Sequence, residues 1–172
     1  MPLSFTDSHC HLDQLGDPAA ALAEAAVAGV DSVVAVSQDA ASMAIVLDLA
    51  ARFPGRVLPG LGVHPVEGTR RGAAAVEPDL ALLERRLPEA AVVGETGLDH
   101  RWAVTAAQRA EQERIFERHL ELAARFRRPV NLHSRRCLRQ VLERAAAFHR
   151  DTGLGTQLHW FTQSAKLVRA SN

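Results

Sequence analysis

The sequence predicts an α/β fold, a TIM-type (β/α)8 barrel of parallel strands, of which about six strand–helix units are present. Three observations carry that reading. Short β-rich apolar runs alternate with longer stretches of helical periodicity, and such alternation pairs strands in parallel through right-handed crossovers. Nearly every apolar run closes on a residue able to do chemistry: His9 and His11, His64, Glu95, His133 and His159. A doubly wound sheet gathers its ligand at one switch point, whereas a barrel collects polar groups from the C-terminal end of almost every strand. Finally, 172 residues hold six units at about 29 residues each, while a complete eight-unit barrel typically takes about 250. Residues 1–172 are therefore expected to form a single incomplete barrel domain that lacks the last two strand–helix units.

The elements follow in order. Strands are expected at Phe5–His9, Ser32–Ser37, Val57–Val63, Ala91–Glu95, Pro129–His133 and Gly155–His159. Asp17 followed by Pro18 opens the first helix and Gly29 closes it, the usual placement of cap, proline and terminal glycine. The stretch Val66–Pro78, with Gly68, Arg70, Arg71 and Gly72, reads as the one loop of any length. Thr105–Ala106–Ala107–Gln108 is a capping box ahead of a long amphipathic run with Ile115, Phe116, His119 and Leu122 on one side. Ser134 is a candidate cap for the next helix and Gly153 its end, and Ser164–Asn172 looks like the start of one more helix. Open first and sixth strands would leave unpaired edges, uncover Val33, Leu61 and Leu132, and favour self-association.

Composition narrows the function classes. With 47% hydrophobic residues and 23% charged ones, the chain is that of a globular domain. Twenty basic residues against twenty acidic ones exclude a broadly basic nucleic-acid binder, so any such contact is local. Cys10 and Cys137 are too few for a disulfide scaffold, and the N-terminus has no leader-like pattern, so the expectation is a cytoplasmic protein. No apolar run approaches the roughly 20 residues of a membrane span. Lys166 is the sole lysine, which leaves arginine to supply any bidentate phosphate contact.

His9 and His11, spaced i, i+2, face the same side of an extended strand and can meet at one ion. Glu95 follows the run Ala91–Val93 between Gly94 and Gly97, which permit close backbone approach. His133 and His159 close their strands in the same way. Each residue alone has a structural explanation; four histidines and a glutamate at equivalent depths together point to a metal site. Imidazole and carboxylate ligands suit zinc, manganese or magnesium rather than a thiolate-preferring ion. Five ligands exceed the needs of one tetrahedral ion, so two divalent cations bridged by the carboxylate are the economical arrangement. Such a pair suits phosphodiester hydrolysis. Cys10 faces away from His9 and His11 and reads as a small buried hydrophobe, and Cys137 reads as an inert residue within a helix.

The segments Asp7–Asp13, Gly62–Pro65, Gly94–Asp99, Asn131–Arg135 and His159–Thr162, with Gln108, Gln112, Phe116 and Leu122–Ala123 between them, resemble the TatD family of metal-dependent deoxyribonucleases over essentially the whole chain. The resemblance implies a TIM-type barrel, divalent cations and hydrolysis of phosphodiester bonds in DNA. It implies that His9 and His11 hold one ion, that Glu95 bridges, that His133 with His159 holds the other, and that His64 and Arg135 look toward the scissile phosphate. Two departures stand out: Thr162–Gln163–Ser164 replaces the usual glycine before the serine, and the family's remaining metal-binding aspartate belongs to a seventh strand outside these residues. A non-catalytic metal-binding fragment is the first rival. A cyclic amidohydrolase, which also begins with His-x-His, is the second, although such enzymes generally bridge their metals with lysine, and here Glu95 stands in that place.

Overall fold

The computed structural model describes residues 4–159. Its strands are β1 (Phe5–Cys10), β2 (Val30–Val36), β3 (Val57–Leu61), β4 (Val92–Asp99), β5 (Val130–Arg135) and β6 (Thr156–Leu158). They form one six-stranded sheet in the order β1-β2-β3-β4-β5-β6, with every pair parallel. The helices are α1 (Pro18–Val27), α2 (Ala40–Arg52), α3 (Pro65–Arg71), α4 (Ala73–Arg86), α5 (Ala106–Phe126) and α6 (Leu138–Thr152). The sheet curls into part of a barrel, far enough that Gln157 Nε2 on β6 donates to Ser8 Oγ on β1 at 3.0 Å. Among the described residues no helix is long and apolar enough to cross a membrane.

Local signals explain most boundaries. The Asp17 side chain accepts from Ala20 N, and Pro18 occupies the first turn of α1. The Thr105–Gln108 capping box starts α5 as expected, and Gly153 in the left-handed conformation ends α6. Ile115, Phe116, His119 and Leu122 are all buried on the inner face of α5.

Several expectations need correction. The supposed loop at Val66–Pro78 is helical, broken only at Gly72, whose φ of 82° turns the chain between α3 and α4. Glycine and arginine punctuation hid α3, which exists because it packs on α5: a Cβ on Gly68 would lie 2.4 Å from Ile115 Cδ1. Arg71 Nη1, 2.6 Å from the buried carboxylate of Asp79, then ties α3 to α4. Strand β4 runs past Glu95 to Asp99 because Gly94 and Gly97 adopt φ values of 143° and 137°. Cβ atoms there would meet the carbonyl oxygens of Asn131 and His133 at 2.4 and 2.2 Å, so only glycine lets β4 lie against β5. Ser134 belongs to β5, and α6 is preceded instead by Cys137, which caps no backbone group with its side chain. The Cys137 thiol, buried rather than helical, donates to Leu98 O at 3.2 Å.

Val33, Leu61 and Leu132 are not uncovered: they are 5%, 0% and 0% exposed. They point outward from the barrel into the layer beneath the helices, joining Leu49, Leu83, Ile115 and Leu122 in one core. What the open side reaches is the opposite face, where Ser8, Val34, Leu58, Val92, Asn131 and Gln157 line a cavity of about 310 Å³. The segments Ser164–Asn172 and Thr162–Ser164 fall outside the described residues.

Candidate metal centre

The C-terminal ends of five strands converge on one buried carboxylate. Glu95, 1% exposed, projects from β4. His9 lies on β1 with His11 just beyond it, His64 precedes α3, His133 lies on β5, and His159 follows β6. The two oxygens of Glu95 divide these imidazoles between them. Oε2 faces His11 Nε2 at 3.3 Å and His9 Nε2 at 3.7 Å. Oε1 faces His159 Nε2 at 2.6 Å, His133 Nδ1 at 2.9 Å and His64 Nε2 at 3.7 Å. Two compact sets of ligand atoms result, His9–His11–Glu95 and His64–Glu95–His133, each with its atoms within 4.8 Å of one another. The rings pack as well: His9 and His159 stack with centroids 3.8 Å apart.

The electrostatics fit cations rather than a proton network alone. Burial would raise the Glu95 carboxyl, but the imidazoles of His11, His133 and His159 overcome that and hold it far below the ordinary range. Burial pushes His64 down to about 4, so at neutral pH its ring is neutral; Nδ1 accepts from Val66 N at 3.2 Å, which leaves the ring proton on Nε2, toward Glu95 Oε1. Burial likewise lowers His9. His133 goes the other way: burial pulls it down, yet hydrogen bonds to the carboxylates of Asp99 and Glu95 carry it up to about 9. His133 would hold a cation there only after giving up that proton, since imidazole ligates through a free lone pair. Glu95 Oε2 and His11 Nδ1 are buried without a hydrogen-bond partner, an expensive state for polar atoms that a bound cation next to Oε2 relieves.

Four residues that complete the site carry no role in the sequence reading. Asp99 Oδ2 meets His133 Nε2 at 3.0 Å and orients that ring. Asn131 Oδ1 lies 2.8 Å from His9 Nδ1, and its Nδ2 donates to Ser8 O at 2.9 Å. With Nδ1–H given to Asn131, His9 keeps its Nε2 lone pair turned toward Glu95, the usual arrangement behind a metal-binding imidazole. On α5, fully buried Gln112 accepts from Asp99 N at 2.9 Å and donates to Pro65 O at 3.1 Å and Thr69 Oγ1 at 3.0 Å. Two turns further along, His119 Nε2 accepts from Val63 N at 2.9 Å while its Nδ1 donates to Ile115 O at 2.7 Å. The signals were present but faint: Asn131 shares a strand face with His133, and Gln112 and His119 interrupt an otherwise apolar helix face. Arg135 ends β5 exposed, with no ion pair among the described residues.

The family model described as TatD related DNase matches residues 6–172. Human deoxyribonuclease TATDN3 is 37% identical over 144 residues, covering 77% of this chain and 53% of the relative. A Mycobacterium tuberculosis protein named as an uncharacterized metal-dependent hydrolase, TatD, is 36% identical over 176 residues, 96% of this chain and 64% of the relative. The crystal structure of YjjV, the TatD homolog of Escherichia coli, superimposes with a TM-score of 0.80 at 28% identity, covering 97% of this chain and 64% of that one. The chain spans about half the length of the TATDN3 proteins it matches. The barrel strands, the histidine-ringed glutamate and the match over residues 6–172 converge on one assignment: the chain belongs to the TatD-related DNase family.

Proposed function

We infer that the chain holds two divalent cations, zinc, manganese or magnesium, around Glu95, and that its active site hydrolyses phosphodiester bonds in DNA. The observation that carries this is the division of one buried carboxylate between two groups of imidazoles, Oε2 toward His9 and His11 and Oε1 toward His133 and His159. When bound, such a pair of cations supplies an activated water at neutral pH and stabilises the attacking and leaving oxygens of an in-line displacement. The protein's own part is to fix the ligands. Asn131 sets the tautomer of His9, Asp99 orients His133, and Glu95 stays ionised in the centre. His64, neutral and beside Glu95 Oε1, and Arg135, a planar fork at the end of β5, are assigned to the scissile phosphate.

The relatives' printed names, a deoxyribonuclease and a metal-dependent hydrolase, support this reading. A cyclic amidohydrolase is disfavoured because Glu95 occupies the bridging place. The free thiols Cys10 and Cys137 fit a reducing, cytoplasmic setting. Among the described residues β1 and β6 each pair with one neighbouring strand only, which offers a route to self-association, visible as a rise of sedimentation coefficient with concentration and absent if the chain stays monomeric throughout.

The test is cleavage of labelled DNA with added manganese, beside a full-length relative. Cleavage stopped by EDTA and by the His133→Ala/His159→Ala double variant is expected. Cleavage that survives EDTA, or is unchanged in the double variant, overturns the reading.

A further inference from the structure

We propose that Trp102 is a stacking platform for one unpaired base of the substrate strand, with Arg101, Arg135 and Arg136 as its phosphate contacts; this rests on the phosphodiesterase reading above and adds the residue that selects for an unstacked base. Asp99 links the platform to the metal centre. One carboxylate oxygen holds His133 Nε2 at 3.0 Å, and the other accepts from the backbone N–H of Arg101 at 2.9 Å and of Trp102 at 3.3 Å. The same side chain therefore orients a ligand ring and shapes the turn that presents the indole. That turn is rigid: Ala103 N donates to Asp99 O at 3.0 Å, Arg109 Nε donates to Ala103 O at 3.0 Å, and Ala103 is fully buried. Trp102 itself is 54% exposed.

A single exposed apolar residue is unremarkable; its neighbours make this one informative. His100 N donates to Arg135 O at 2.9 Å, lacing the loop after β4 to the end of β5. Arg101, Arg135 and Arg136 stand exposed on these two loops. Among the described residues none of the three lies within ion-pair distance of a carboxylate, whereas Arg71, Arg114 and Arg118 are each paired. A chain with no net charge thus leaves guanidinium groups without a carboxylate partner, among the described residues, on the loop that carries the indole and on the loop end laced to it, at the barrel end that carries the ligands. Guanidinium groups hold phosphate oxygens and an indole face holds a base, which is the chemistry that binds single strands. A base inside a duplex has both faces covered, so the platform takes a single strand or a frayed end.

The test reads binding alone, in EDTA, by fluorescence anisotropy of a labelled oligothymidylate and of a blunt duplex. Trp102→Ala is expected to weaken single-strand binding about tenfold, and Trp102→Phe to restore most of it by returning an aromatic face. Arg101→Ala with Arg136→Ala is expected to flatten the salt dependence, as lost phosphate contacts do. Native affinity in Trp102→Ala, or an equal loss on duplex and single strand, overturns the proposal. Manganese-dependent hydrolysis of a small phosphodiester reads the underlying activity separately: its failure with strand binding intact removes the hydrolase reading and leaves a strand platform without chemistry beside it.

Discussion

On one wall of the site, formed by β3 and β4, the ligand-bearing strand ends are gripped from outside by α5; on the other, formed by β1 and β6, they are held by side chains that cross the barrel interior. The first wall has two fully buried polar groups behind it, with Gln112 fixing the backbone of Asp99 and Pro65 and His119 fixing Val63, next to His64. The second wall has Asn131 and Gln157 reaching to Ser8 and His9 above an apolar cavity of about 310 Å³. Both walls contribute imidazoles to Glu95, yet one is part of the hydrophobic core and the other is a polar latch. Damage to the first should therefore be read as lost stability, and damage to the second as lost metal affinity in a protein that still folds.

The largest effect should come from Gln112→Leu. The apolar side chain fits the space but leaves the Asp99 N–H and the Pro65 carbonyl buried without partners, at about 1–3 kcal/mol each. Denaturant unfolding should show a loss of about 4 kcal/mol, and a loss under 1 kcal/mol would erase the contrast between the walls.

Next comes the pH dependence contributed by His119. Burial holds its folded pKa at about 4 against an ordinary 6.5, so between those values the unfolded chain binds more protons. The stability contributed by the neutral ring is whole above pH 6.5 and is lost as pH falls toward 4, about 3 kcal/mol in all. The native protein should lose more stability across this window than His119→Gln, which has no such proton to take up. Parallel pH profiles for the two would show that the ring does not titrate in this way.

Asn131→Leu should act on the other wall. Removing a hydrogen-bond partner behind a ligating imidazole commonly costs 10- to 100-fold in metal affinity, equivalent to about 1.4–2.7 kcal/mol. Calorimetric titration with manganese or zinc should show that loss, while Asn131→Asp, which still accepts from His9 Nδ1, should retain most of the affinity. Equal weakening in both variants would place the effect in the latch to Ser8 rather than in the tautomer of His9.

The same contrast governs what the sequence disclosed. Strand ends are marked in one dimension, because an apolar run that stops on histidine or glutamate is visible whatever lies beyond it; hence all six residues His9, His11, His64, Glu95, His133 and His159 were candidates before any coordinates, and the structure brings them together. Asn131 leaves only a faint mark, the strand face it shares with His133, because its partner is 122 residues away. Helix α3 was hidden because its stability comes from Gly68 fitting against Ile115 of α5, a contact that local propensity does not encode. The extension of β4 was hidden because glycines read as loop formers, whereas here they permit the close approach of β5.

In the function proposed above, Glu95 is the shared centre of two cation sites. The most direct measurement is the metal content of the purified chain and of Glu95→Gln, by elemental analysis after equilibration with manganese or zinc and gentle dialysis. About two ions per native chain are expected, with a loss from both sites together in Glu95→Gln, which folds alike by circular dichroism. Equal metal content in the two proteins would contradict it.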